Sequence, residues 1–235
     1  MYTIQRANER GLTHISWLKS FHSFSFGEYY DPRKMGFGPL RVINDDTILG
    51  GTGFHPHQHR DMEIISIPLK GGLLHQDSLG NDIEITPEMI QVMSAGTGII
   101  HAEYNASQTD ATDFLQIWIE PNQLHVSPRH VETKINYLAN ELTLLAGPNS
   151  SDQIQLYQEA YLFRGRYSEE TQLDYTSKYE NGLLYLFVID GTVEINGEKL
   201  ERRDAIAIEK EQAISLDLSS NADFLLFDMQ ESSGA

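Results

Sequence analysis

The chain contains no cysteine among its 235 residues. Disulfides, thiolate zinc sites and cysteine nucleophiles are thereby excluded, and a cytoplasmic location is the expectation that fits. Positive charge is scarce: 17 Lys and Arg stand against 34 Asp and Glu, a net charge of −17. The deficit runs the whole length, with 10 basic against 17 acidic residues in 1–150 and 7 against 17 in 151–235. Phosphate backbones and anionic lipids need a basic surface, so neither direct nucleic-acid binding nor membrane binding is expected. The acidity reads as solubility. No apolar run approaches the ~18 residues of a membrane span, and residues 1–11 lack the apolar core of a signal peptide. Helical periodicity is also scarce; only Glu132–Leu145 admits a short helix.

What is present reads as strand. Hydrophobic residues make up 40% of the chain, enough for one large core or two small ones. Residues 63–69 form an apolar run closed by Lys70-Gly71-Gly72, and 73–77 precede a turn at Leu79-Gly80-Asn81-Asp82. Ile83–Thr86 alternates, Met89–Met93 follows, and Ala95-Gly96-Thr97-Gly98 breaks the chain before Phe114–Ile119. The second half repeats this order: Leu183–Ile189, an Asp190-Gly191 turn, Thr192–Ile195, an Asn196-Gly197 hairpin signal, Ala205–Ile208, Ala213–Leu218 and Phe224–Phe227. Short strands with closely spaced turns predict an all-β chain built as an internal duplication of one barrel. The division reads as 1–130, a connector over 131–150 marked by Gly147-Pro148 and Ser150-Ser151, and 151–235.

The chemistry concentrates in two short pairings, His57-Gln58-His59 and His101-Ala102-Glu103. Side chains two apart on a strand share a face. Neighbouring strands carrying these pairs would aim three imidazoles and one carboxylate at a common point. Such a set suits a divalent transition metal and leaves positions open for chemistry. Asp61 and Glu63 share the parity of His57 and His59, but Glu63 lies about 13 Å along an extended strand from His59. Glu103 is therefore preferred as the fourth donor, and Glu63 takes a supporting or structural role. His55 has the same parity, yet Pro56 marks an edge or turn there, which leaves His55 in a loop at a pocket mouth or on the surface. No histidine follows His130, so only the first half can hold this site.

These residues resemble a known family. Gly51-x5-His57-x-His59-x3-Glu63-x7-Gly71 is similar to the first cupin motif, with one extra residue before the last glycine. Gly98-x2-His101-x3-Asn105 is similar to the end of the second, although Gly96 stands where cupins usually carry proline. Within the cupins the likeness is to pirins. It is carried by His22-Ser23-Phe24-Ser25-Phe26, Tyr29-Tyr30-Asp31-Pro32, Leu40–Asp46, His57–Glu63, His75-Gln76-Asp77-Ser78 and Met93–Glu103. The resemblance implies a bicupin: two stacked antiparallel β-barrels of jelly-roll type, few short helices, and a metal in the N-terminal barrel held by His57, His59, His101 and Glu103. It further implies a quercetin 2,3-dioxygenase-like oxidoreductase that opens a flavonol with O2 and releases carbon monoxide and a depside. Fe2+ is the expected metal, with Mn, Co, Ni, Cu and Zn matching the same donors. Glu103 would act as the general base. The alternative is a metal-binding regulatory or redox-sensing module working through a protein partner. A metal-assisted isomerase or hydrolase is a third reading, because fold does not fix function. A monomer is expected.

Other residues carry plainer readings. Trp17, Phe21, Phe24, Phe26, Tyr29 and Tyr30 read as a buried strand covering the barrel, with flavonoid stacking as the alternative. His22 reads as a hydrogen-bonded structural histidine, and Arg41 and Asp45-Asp46 as turn or ion-pair residues. Met93, Phe54 and Ile100 read as core before pocket wall.

Overall fold

The computed structural model describes residues 1–149 and 154–231; Ser150-Ser151 lie outside them. The apolar runs become strands because both of their faces are buried. In Leu183–Asp190, Leu184, Leu186 and Val188 point into one core and Tyr185, Phe187 and Ile189 into another. In Glu63–Lys70, Ile65 and Ile67 face one core while Ile64 and Ser66 face the other way. Strands covered on both sides read as continuous apolar stretches rather than clean alternation.

The first half pairs a seven-stranded with a four-stranded sheet. The large sheet runs in the order Arg129–Lys134, Met89–Ser94, Glu63–Lys70, Thr112–Ile119, Leu40–Ile48, Leu18–His22, Gly11–His14. The small sheet runs Gly53–His59, Ile99–Asn105, Leu73–Asp77, Asp82–Ile85. The second half repeats the plan. Its large sheet is Tyr2–Gln5, Ala205–Glu209, Leu183–Asp190, Asp223–Met229, Ala160–Arg166, Leu142–Gly147, Ile154–Gln155; its small sheet is Thr171–Thr176, Ala213–Leu218, Val193–Ile195, Glu198–Leu200. All pairings are antiparallel except Leu142–Gly147 with Ile154–Gln155.

The two stacked jelly-roll barrels expected from the sequence are present as open sandwiches, with no ladder among the described residues joining a large sheet to its small partner. The reason is that each large sheet needs both faces. One packs on its own small sheet. The other packs on the large sheet of the opposite half, through Ile43, Ile65, Ile117 and Leu115 against Tyr185, Phe187, Leu225 and Phe227. The four layers therefore run small, large, large, small.

The helix admitted at Glu132–Leu145 does not form. Arg129–Lys134 pairs with Met89–Ser94, and Leu142–Gly147 pairs with Ala160–Arg166. Two sheet edges satisfy this backbone better than an isolated short helix would. Among the described residues the only helical element is a three-residue 3-10 turn, Ala7–Glu9, rather than the few short helices expected. That turn carries the chain between halves. Tyr2–Gln5 pairs with Ala205–Glu209, pinned where Asp204 accepts from Arg6 Nη1 at 3.0 Å and from Ala7 N at 2.7 Å. The chain then enters the first half at Gly11–His14.

Arg41 and Asp45-Asp46 lie within the Leu40–Ile48 strand, not in a turn. Asp45 does form ion pairs, accepting from Arg10 Nη1 at 3.3 Å and Arg203 Nε at 2.9 Å. The two guanidinium side chains are only 4% and 10% exposed. Removing the shared carboxylate leaves both charges buried and uncompensated. Asp45→Ala is expected to destabilise the fold by about 3 kcal/mol, read as a lowered midpoint in urea unfolding. An unchanged midpoint would show that these guanidinium groups are satisfied without Asp45.

Candidate metal centre

The site forms where the small sheet of the first half faces its large sheet. Ile99–Asn105 pairs with the edge strand Gly53–His59, placing His101 directly opposite His57 and Ile99 opposite His59. The register then shifts, so that Glu103 meets Phe54 rather than His55. Pro56, which has no N–H to donate, sits inside this bulge. The bulge turns Phe54 toward the cavity and His55 out to solvent, which is why parity counting through His55 fails. His55 is a strand residue on the surface, not a loop residue at the mouth. Gly53 permits the close approach: a Cβ there would lie 2.3 Å from the Glu103 carbonyl oxygen.

The result is a cluster of imidazoles. Nitrogens of His57, His59 and His101 lie within 4.8 Å of one another, and donor atoms of His75, His101 and Glu103 do the same. His57 Nδ1 bonds the His55 carbonyl at 2.8 Å, so it carries the proton and Nε2 presents a lone pair. His101 is buried with neither ring nitrogen partnered. Burial, and then the neighbouring His57, push His101 down to about 3; burial and then His101 push His59 down to about 4. Neutral, converging, partly orphaned imidazoles are what a transition cation requires. The residues fit a metal.

Glu103 is held by the large sheet. Ser66 Oγ donates to Oε1 at 2.9 Å and Gln116 Nε2 donates to Oε2 at 2.8 Å. Both donors belong to one polar row that crosses the sheet: His22, Asn44, Gln116, Ser66 and Gln91 are consecutive register partners. His22 bonds Asn44 Oδ1 at 2.7 Å and Thr13 Oγ1 at 2.8 Å, the structural role expected of it. Gln91 Nε2 donates to His75 Nδ1 at 3.1 Å, which leaves His75 Nε2 to donate to Asp77 Oδ2 at 2.9 Å. His75 stacks on His130 at 4.3 Å with the rings only 14° apart. Near-parallel rings direct their lone pairs side by side rather than to one point. We therefore read the hydrogen-bonded His75 and Asp77, with His130 stacked on His75 and paired with Glu132, as a support behind His101, not as a second ion site.

Glu63 is not at the site. Its buried carboxylate accepts from Ser94 Oγ at 3.0 Å and from Tyr157 N of the second half at 3.3 Å, a structural role. Asp61 closes a loop with His125. Gly96 makes the adjoining turn, with φ of +46° and a position where a Cβ would fall 2.0 Å from the Val126 carbonyl.

A cavity of about 370 Å³ opens over the cluster, within the range of ligand pockets. Its walls include Phe26, Phe54, Trp118, Leu18 and Ile15, with Asp46, Asn44 and Gln116 as polar members. Of the pocket-wall candidates only Phe54 lines it; Met93 is core and Ile100 is exposed. The aromatic N-terminal stretch divides rather than forming one covering strand. Phe24 packs on Tyr185 between the halves, whereas Phe26 meets Trp118 edge-on at 5.2 Å in the cavity wall. Tyr30 is exposed. The sequence reading missed Trp118, although its strand parity with Gln116 was a usable signal. Asp46 is likewise a cavity residue that the local pattern did not reveal; burial pushes its carboxyl up to about 7 against the opposing hydrogen bond from Ser20, with the charges of Asp45 and Glu103 adding to the rise.

In the second half the equivalent interior is mainly apolar, filled by Leu184, Leu186, Val188, Val193, Leu216 and Phe224, with one buried carboxylate, Asp228, held by Tyr175, Ser177 and the Lys178 amide, and no cluster of three metal donors among the described residues.

Comparison with known proteins gives a consistent result. The Pirin family model matches residues 4–119, and a model described as quercetinase C-terminal cupin domain matches 144–229. The chain is 40% identical over 229 residues to a quercetin 2,3-dioxygenase of Escherichia coli K12, covering 97% of this chain and 99% of that one. It is 36% identical over 233 residues to a protein of Pasteurella multocida named as a putative quercetin 2,3-dioxygenase, covering 97% and 100%. The crystal structure of YhhW from Escherichia coli superposes with a TM-score of 0.95 at 39% identity, covering all of both chains. That of the bacterial pirin YhhW in complex with nickel(II) gives 0.93 at 40% identity, covering 97% and 99%.

Proposed function

The chain belongs to the pirin family, and on that premise we propose that it is a metal-dependent dioxygenase opening a flavonol-like ring with O2, as in quercetin 2,3-dioxygenases. The observation that carries this reading is the convergence of His57, His59 and His101 beside Glu103 in a cavity with aromatic walls. His57, His59, His101 and Glu103 would hold one divalent ion, Fe2+ on our reading, with Mn, Co, Ni, Cu and Zn compatible with the same donors. Once bound, that ion supplies Lewis acidity toward the deprotonated 3-hydroxyl and toward oxygen.

The remaining work belongs to the protein. Glu103 accepts the 3-hydroxyl proton as general base. Each of its oxygens accepts only one hydrogen bond here, so lone pairs remain for ligation or for a proton. Ser66 and Gln116 fix the orientation of the carboxylate. Phe26, Phe54 and Trp118 present ring faces and edges to an aromatic substrate and keep water from the reacting face.

Protein loaded anaerobically with Fe2+, Ni2+ or Mn2+ and mixed with quercetin and O2 is expected to consume oxygen and release carbon monoxide in equal amounts. Metal-replete protein that consumes none would reject catalysis and favour a metal-binding regulatory role.

A further inference from the structure

The polar groups of the cavity mostly satisfy one another, which makes the exceptions informative. His22 is matched by Thr13 and Asn44, and Gln116 by Glu103. Three lining residues keep a buried polar atom without a partner: His101, Trp118 and Asp46. The His101 nitrogens are accounted for by a metal. Asp46 is the lone unmet acceptor. Its Oδ1 has no hydrogen-bond partner although the residue is 3% exposed; the hydroxyl of Ser20, its register partner on the adjacent strand, bonds the carboxyl group and still leaves that oxygen unmet. A carboxyl oxygen buried without a donor is costly. In a cavity wall it marks a position that a ligand's hydroxyl would complete.

The register gives the spacing. Asn44 and Gln116 form the row that holds Glu103, and Asp46 with Phe114 forms the next row. Adjacent same-face rows lie about 7 Å apart along the strands. Leu18 and Phe54 line this end of the cavity, with Phe114 packed edge-on behind Phe54, and give an apolar surround for a ring.

We propose that Asp46 binds a second hydroxyl of the aromatic substrate, one row away from the hydroxyl that meets Glu103, and so selects polyhydroxylated flavonols over those bearing the 3-hydroxyl alone. This inference rests on the flavonol reading above and adds a specificity-determining residue to it.

The test compares anaerobic binding of quercetin and 3-hydroxyflavone, the latter lacking every other hydroxyl, to metal-loaded protein. Wild type is expected to favour quercetin at least about tenfold, the worth of one buried hydrogen bond. Asp46→Leu, or Asp46→Ala should leucine not be accommodated, is expected to erase that ratio. Asp46→Asn, which keeps a carbonyl oxygen in place, is expected to restore most of it. Equal weakening of both flavonols, an unchanged ratio, or a loss that asparagine does not recover would overturn the assignment. Wild type binding neither flavonol would overturn it together with the flavonol reading. Tight, Asp46-dependent binding of quercetin without oxygen uptake would reject only the dioxygenase.

Discussion

Replacing His101 by alanine is expected to strip the protein of metal while leaving the metal-free fold intact. The two halves of this outcome have separate physical origins. His101 is the donor common to two of the three clustered groupings, within 4.8 Å of His57 and His59 in one and of His75 and Glu103 in the other; the third is the His75, Asp77 and His130 support. Without it no compact three-nitrogen set remains among the described residues, so bound metal should fall from about one ion per chain to under a tenth of that after desalting. The fold should tolerate the change because both His101 nitrogens are already buried without partners. Alanine leaves a small void but also removes two unsatisfied polar atoms, effects of opposite sign. Elemental analysis paired with urea unfolding checks both. Excess metal should raise wild-type stability by about 4 kcal/mol at a thousandfold over Kd and leave the variant unmoved. Full metal content in His101→Ala would remove the ligand map.

Glu103→Gln is expected to separate binding from turnover. The three imidazoles persist and most of the metal stays. Glutamine can still accept from Ser66 through its carbonyl oxygen, but its amide opposes the Gln116 donor that now bonds Oε2 at 2.8 Å. More important, an amide cannot take the 3-hydroxyl proton. Loss of a positioned general base costs roughly 10²–10⁴ in rate. The variant should bind quercetin anaerobically yet consume oxygen at least about a hundredfold more slowly. Oxygen uptake at the wild-type rate would reject the base role, and loss of metal along with activity would show that Glu103 acts mainly as a ligand.

The polar row across the large sheet explains why these two positions behave differently. Glu103 reaches into it and is oriented by Ser66 and Gln116, whereas His101 stands between the row's outlying partner His75 and the cavity. In the second half the same interior is closed mainly by aliphatic and aromatic side chains, and its buried carboxylate, Asp228, is fully engaged by Tyr175, Ser177 and the Lys178 amide. One duplicated plan thus carries a polar centre in one copy and a filled core in the other.

Some of this was written in local sequence. Period-two spacing alone put His57 with His59 and His101 with Glu103, because strand geometry makes same-face placement a property of neighbouring residues. The runs at 63–69, 183–189 and 213–218 read as strands for the same reason, and the missing histidines after His130 placed any imidazole site in the first half. The rest depended on partners distant in the chain. Asn44 and Asp46 interrupt the apolar pattern of Leu40–Ile48, and only sheet register shows that they face a cavity. Pro56 marked irregularity, but the direction in which His55 turns follows from the bulge against Ile99–Asn105. Arg129–Lys134 and Leu142–Gly147 became strands because two sheet edges were waiting for them. That the two jelly rolls are open sandwiches, each large sheet burying its second face against the other half, was decided by contact between sheets, a property that no single segment carries.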